Sequence, residues 1–149
     1  MSTLSTPVPP ATPTSPLAGR AADVVLSVRR IVFGLLFAQH GAQKLFGWFA
    51  DPSRPAGGGP PLVSLPGAAG VLEFFGGLLV AFGLFTRPVA FVLSGLMAVA
   101  YFMAHASQGF WPILNRGEAA VLFCFAFLLI WALGPGPYSL DALLRRRRA

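Results

Sequence analysis

The chain has 149 residues, of which 55% are hydrophobic and 11% are charged, and its mean hydropathy is +0.69. The length allows one domain, and the composition excludes an ordinary soluble globular protein, so we expect an integral membrane protein. The net charge of +6 does not indicate nucleic-acid binding, because the basic residues lie at helix ends and in a terminal run. The single cysteine, Cys124, excludes a disulfide framework or a CxxC redox pair within one chain.

The first 16 residues are rich in Pro, Ser and Thr and contain no charged side chain, so we predict a disordered tail over residues 1–16. This segment lacks the basic n-region and the apolar h-region of a signal peptide. The first apolar helix is therefore predicted to be a retained membrane span, and residues 17–144 are predicted to form the membrane domain.

Four apolar segments have the length of membrane spans, and they cover about residues 30–49, 68–85, 89–106 and 118–133. A long Pro- and Gly-rich loop follows the first segment, a tight turn at Thr86, Arg87 and Pro88 separates the second from the third, and the sequence GPGPY ends the fourth. The predicted fold is all-α, a four-helix transmembrane bundle that crosses the bilayer several times.

Four spans place both termini on the same side of the membrane, and the basic residues predict which side that is. One side carries Arg20, Arg29, Arg30, Arg87 and Arg145 to Arg148, whereas the other carries Lys44, Arg54 and Arg116. Eight against three predicts an N-in and C-in topology, with residues 145–149 as a basic cytoplasmic tail. Arg29 and Arg30 are expected at the water interface.

The first span carries polar side chains in its second half. Gln39 and Gln43, and likewise His40 and Lys44, are four residues apart, so each pair lies on one side of a helix. An ionisable side chain at bilayer depth is costly unless it is paired or lines an interior, which makes it a candidate for function. We therefore expect this side of the helix to face the other helices.

Every predicted span contributes an ionisable group to the outer leaflet. We predict a polar pocket there whose ligand-binding residues are His40, Lys44, Glu73, His105 and Glu118. Its other lining residues are predicted to be Gln43, Trp48, Trp111 and Asn115.

Three interpretations of this cluster remain open. Lys44 and Glu73 can form a purely structural ion pair, or the cluster can bind a quinone or a similar small redox molecule through hydrogen bonds and aromatic stacking. A metal site is the third interpretation, because two imidazoles and two carboxylates suit zinc, iron or manganese. No HxxxH or ExxH spacing supports that third interpretation.

The sequence also carries a family resemblance between about Arg29 and Leu144. The ordered set G-x-x-K-L, E-x-x-G-G-L-L, a His before F-W, N-x-G-E and G-P-G-x-x-S-L-D resembles the DoxX family of small bacterial membrane proteins. The matching positions include Lys44, Glu73, His105 and Glu118. Arg116 departs from the commoner N-G-G-E of the family. We expect a cation there to weaken any role of the neighbouring Glu118 carboxyl as an acid.

The resemblance implies a four-helix bundle in the bacterial inner membrane. Relatives in this family are linked to the membrane subunit of a thiosulfate:quinone oxidoreductase and to a membrane oxidoreductase complex with superoxide dismutase and a sulfurtransferase. It therefore implies a membrane component of a redox system, with soluble or membrane protein partners and a quinone-type ligand, and it identifies no reaction. The alternative is a non-catalytic assembly subunit of a larger membrane complex.

Overall fold

The computed structural model describes residues 16–49 and 60–148, and within these residues it contains helices and turns but no strand. The helices are α1 Pro16–Phe46, α2 Leu65–Phe82, α3 Thr86–Ala100, α4 Pro112–Asn115, α5 Glu118–Leu133 and α6 Leu140–Arg146. After α3 the chain continues through a π-helical turn, Tyr101–His105, and a 3-10 turn, Ala106–Gln108. The all-α prediction is confirmed, whereas the predicted disordered tail lies outside the described residues except for Pro16.

Two helical segments in the described part of the chain are long and apolar enough to cross a bilayer, namely Leu65–Phe82 and Thr86–Gln108. Helix α5 is also apolar but shorter, with 16 residues. Helix α1 has 31 residues and begins at Pro16, well before the predicted first span. The charged segment that precedes Arg30 is therefore helical as well. Four complete spans thus remain a prediction.

The helices pack as two close pairs, α1 with α2 and α3 with α5. Helices α1 and α2 are antiparallel and approach each other through glycines. A Cβ atom on Gly77 would lie 2.7 Å from Ala38 N and 2.7 Å from Gly34 O, which are both backbone atoms. Residues without a side chain are thus required for this approach, as in many membrane helix pairs.

An apolar core joins the two pairs. Phe37 of α1 and Phe127 of α5 are 1% and 0% exposed, and their ring centroids are 4.8 Å apart at an interplanar angle of 71°. Large apolar side chains also cover the outside of the bundle, among them Phe75, Phe91 and Phe125, each more than half exposed. An apolar exterior of this extent is typical of a surface that faces lipid.

One end of the bundle, here called the Arg30 end, is held together by a buried arginine. Arg30 is 1% exposed, so its predicted position at the water interface is wrong. Its Nη1 donates to Val80 O at 2.7 Å and also to Ala81 O, its Nε donates to Pro135 O at 2.9 Å, and its Nη2 donates to Tyr138 O at 2.7 Å. Val80 and Ala81 lie in the last turn of α2, where carbonyls lack the partners of a helix interior, and the guanidinium supplies donors to them and to the two loop carbonyls.

Helix α6 is fixed to the same end by hydrogen bonds to the turn between α2 and α3. The Asp141 carboxylate accepts from the backbone N–H groups of Phe85 and Thr86, both at 2.9 Å, and Asp141 N donates to Gly83 O at 2.8 Å. Gly83 has a φ of +74°, and a Cβ there would collide with the Ser139 side chain and the Arg30 guanidinium. Asp141 thus caps the start of α3 and docks α6, while the Ser139 hydroxyl caps α6 by accepting from Ala142 N at 3.1 Å.

Candidate ligand-binding site

The opposite end of the bundle, here called the Lys44 end, contains a buried carboxylate. Glu73 of α2 is 3% exposed, and its Oε1 lies 2.5 Å from Lys44 Nζ of α1. The Lys44 side chain is 38% exposed, so this pair joins a buried anion to a cation that still reaches the surface. The second carboxylate oxygen, Oε2, is buried and has no hydrogen-bond partner among the described residues. A buried polar atom without a partner needs an explanation, such as a missing ligand.

Glu73 lines a cavity of about 290 Å³ between the two helix pairs. Four of the five predicted ligand-binding residues line this cavity, and they are His40, Lys44, Glu73 and His105. Apolar side chains form most of the remaining wall, which includes Phe37, Met97, Ala120 and Phe123. Glu73 and Met97 are buried whereas His40 and Arg116 are exposed, so the cavity has a buried floor and an open rim.

The two histidines differ in what holds them. His40 sits at the rim with its ring edge against Phe123, at a centroid distance of 5.6 Å and an angle of 87°. His105 Nδ1 lies 3.0 Å from Asn115 O, and because a carbonyl only accepts, Nδ1 must carry the proton. In the neutral ring, Nε2 is then an acceptor for a ligand hydroxyl. A π-helical turn positions His105, and such turns often occur at functional sites.

Asn115 does not line the cavity but positions one of its residues. It is 2% exposed, its amide nitrogen donates to Gly109 O at 2.6 Å, and its Oδ1 accepts from Gly117 N at 2.8 Å. These bonds fix the turn between α4 and α5, and the Asn115 carbonyl in that turn orients His105.

The structure places the other predicted residues away from this cavity. Glu118 is exposed at the first position of α5. Trp48 and Trp111 are 56% and 65% exposed, and each packs against a neighbouring phenylalanine instead of covering the cavity. Gln43 donates to Phe49 O at 3.2 Å and lines a separate depression together with Gln39 and His40.

Arg116 also lines the cavity. The sequence predicted only an effect of Arg116 on the neighbouring Glu118, and no place for it in the site. Arg116 has a φ of +60°, a backbone conformation that favours glycine, and it adds a second cation to the lining of the cavity in addition to Lys44. The departure of Arg116 from N-G-G-E was the sequence feature that pointed to this residue. A side chain at a position suited to glycine suggests a functional reason for that side chain.

No group of three or more His, Cys, Asp or Glu side chains in the described part of the chain is arranged to hold a metal ion. The two imidazoles and the Glu73 carboxylate therefore line one cavity without forming a cluster of metal ligands. Hydrogen bonding, proton exchange and ring stacking are the chemistry that this arrangement supports.

The asymmetric burial of the ion pair predicts unequal effects of removing each partner. We expect Lys44→Met to lower the free energy of unfolding by about 3 kcal/mol, because it leaves a buried carboxylate without a cation. Glu73→Gln is expected to cost about 1 kcal/mol, since Lys44 can turn to water. Equilibrium unfolding of both variants in detergent measures this difference, and a larger loss in Glu73→Gln would contradict it.

Comparisons with known proteins match this chain to one family and to relatives that include inner membrane proteins. The DoxX family profile matches residues 25–106. An uncharacterized protein of Haemophilus influenzae is 41% identical over 78% of this chain and 87% of its own length. The inner membrane proteins YqjF and YphA of Escherichia coli are 31% and 30% identical over 84% and 83% of this chain, and over 95% and 92% of their own lengths. No solved structure matches the chain.

Proposed function

This chain belongs to the DoxX family of membrane proteins, and we propose that it is a membrane component of a redox system that binds a quinone-type molecule at the Lys44 end. The proposed binding residues are His40, Lys44, Glu73 and His105, which line one cavity. Glu118 is left out of this set because it is exposed at the start of α5 and does not line the cavity.

The unpartnered Oε2 of Glu73 is the observation that supports this proposal most strongly. An ionised carboxylate accepts hydrogen bonds, so a quinol hydroxyl is a suitable partner for Oε2, and His105 Nε2 offers a second acceptor. When a quinol is oxidised to a quinone it releases two protons and two electrons. Glu73 and His105 would take up the protons, and a partner redox protein would accept the electrons.

The size and the apolar walls of the cavity suit one ring. Its volume of about 290 Å³ is close to the lower limit of small-molecule sites, about 300 Å³. Phe37 and Phe123 would contact the faces or edges of the ring. Any isoprenoid tail would then extend past the open rim into the lipid.

The proposed orientation places the Lys44 end outside the cytoplasm in the bacterial inner membrane. Helices α1, α2, α3 and α5 would be the four spans, with both termini in the cytoplasm. The excess of arginines at the Arg30 end supports this orientation, and so do the relatives named as inner membrane proteins.

The test is Glu73→Gln in the full-length protein, with Glu118→Gln as the matched control. Decylubiquinone and its reduced quinol form are added to each variant in detergent, and thermal unfolding is followed. We expect the quinol to raise the melting temperature of the wild type and of Glu118→Gln but not of Glu73→Gln. If no form responds to either ligand, or if all three respond equally, this cavity is not the quinone site.

An assembly subunit is the alternative, and the closed ion pair of Lys44 and Glu73 at 2.5 Å favours it. In that case the apolar exterior would pack on a larger membrane complex. Glu73→Gln would then reduce the yield of that complex in proportion to its loss of stability, with no ligand-dependent difference from an equally destabilised variant.

A further inference from the structure

A second cavity, of about 460 Å³, lies at the Arg30 end between the α2–α3 turn and α6. It is remote from the proposed quinone site, and none of its lining residues contributes to that site. Three arginines line it, namely Arg87, Arg145 and Arg148. We call it the basic cleft.

The charges in the basic cleft are unbalanced. Asp141 also lines the cleft, but both of its carboxylate oxygens accept from the backbone N–H groups of Phe85 and Thr86. Among the described residues, only Lys44 and Glu73 form an ion pair within 4 Å, so no carboxylate is paired with the three guanidinium groups. Three cations and one anion leave a positive site that suits an anionic group.

A buried hydroxyl independently indicates a missing ligand. Thr86 lines the cleft and is 0% exposed, and its Oγ1 has no hydrogen-bond partner among the described residues. A threonine hydroxyl is a suitable donor to a phosphate oxygen. The cleft therefore combines charge for an anion with an unused donor for it.

An apolar groove adjoins the basic cleft. It lies between α2 and α3, has a volume of about 310 Å³, and is lined by Val, Leu, Phe, Gly and Pro side chains. Pro88 lines both the groove and the cleft, so the two are neighbours. A molecule that fills both needs an anionic head and an apolar chain.

We propose that this end of the protein binds one anionic phospholipid, with its phosphate in the basic cleft and an acyl chain in the groove between α2 and α3. Basic pockets between membrane helices on the cytoplasmic side are suited to such headgroups. The groove distinguishes a phospholipid from free phosphate, because free phosphate has no apolar part to bury there.

The first test compares two double variants of the C-terminal arginines. Arg145→Gln/Arg148→Gln removes two cleft residues, and Arg146→Gln/Arg147→Gln removes the same charge from neighbours that do not line the cleft. Binding of dioleoylphosphatidylglycerol to each purified full-length protein is measured by native mass spectrometry. We expect the first variant to bind about tenfold more weakly and the second to change less than about threefold. Equal losses would overturn the proposal, because they would indicate diffuse attraction.

Two further measurements test the source of the phosphate. Dioleoylphosphatidylcholine is expected to bind at least about tenfold more weakly than phosphatidylglycerol, and millimolar inorganic phosphate is expected not to displace the lipid. Val92→Trp, which fills the groove, should weaken lipid binding, whereas Val99→Trp, at an exposed α3 position outside the groove, should not. Displacement by phosphate, or equal effects of the two tryptophans, would overturn the lipid assignment.

Discussion

Replacing Arg30 by Met is expected to lower the free energy of unfolding by about 4 kcal/mol. The guanidinium donates to four backbone carbonyls, and these carbonyls belong to the last turns of α2 and to the connection that leads to α6. A hydrogen bond from a charged donor contributes about 1.5 kcal/mol or more, and part of the sum is returned because a buried charge is removed. Met leaves all four acceptors without this donor, at a position where the side chain is only 1% exposed.

Arg30→Lys is expected to lose most of the same stability, because one ammonium cannot reach carbonyls that lie on several sides of the planar guanidinium. Arg29 offers a matched control, since its Nε and Nη2 have no hydrogen-bond partner among the described residues. Unfolding in detergent should thus show Arg30→Lys far below the wild type and Arg29→Lys close to it. Similar losses in both lysine variants would mean that the carbonyl contacts contribute little.

The sequence could not have predicted this role for Arg30. An arginine at the edge of an apolar segment is typical of a flanking residue that reaches the water interface, and the pattern is the same when it turns inward. The partners of Arg30 are main-chain carbonyls of Val80, Ala81, Pro135 and Tyr138, and carbonyls leave no signature in a sequence. Only the backbone path of the C-terminal segment brings them together.

The Lys44 end was more predictable because membrane depth restricts what ionisable residues can do. Lys44 and Glu73 are the charged groups that lie within apolar segments, so each needed a partner, and the structure pairs them at 2.5 Å. His40 follows from the same argument, whereas His105 was predicted at the end of the third span, and both line the cavity.

Glu118 and the tryptophans were harder to place, because they depend on helix rotation and loop path. Helix α5 is apolar on all sides, so no pattern shows which face is turned inward. The structure turns Ala119, Ala120 and Phe123 to the cavity and leaves Glu118 exposed. Trp48 and Trp111 lie beside loops, where aromatic side chains serve the membrane interface as readily as a pocket.

Gly77→Ala is expected to destabilise the protein by about 3 kcal/mol, although a methyl group is the smallest side chain that can be added. The new Cβ would lie 2.7 Å from Ala38 N and Gly34 O, and backbone atoms cannot turn aside as a flexible side chain does. Helices α1 and α2 would therefore have to separate, and overpacking of this kind costs about 1–3 kcal/mol or more. Separation would also stretch the contacts of Lys44 with Glu73 and of Arg30 with Val80, since both join the same helices.

The same substitution at Gly95 is the control, because nothing lies within 4 Å of a Cβ built there and the residue is exposed on α3. Alanine favours a helix over glycine by about 0.5–1 kcal/mol, so Gly95→Ala should be neutral or slightly stabilising. Opposite signs of the two changes in unfolding free energy would show that close approach of α1 and α2, and not glycine as such, is what the bundle requires. Equal changes in unfolding free energy would mean that the effect of alanine arises within each helix. Gly77 would then have no special role in the close approach of α1 and α2.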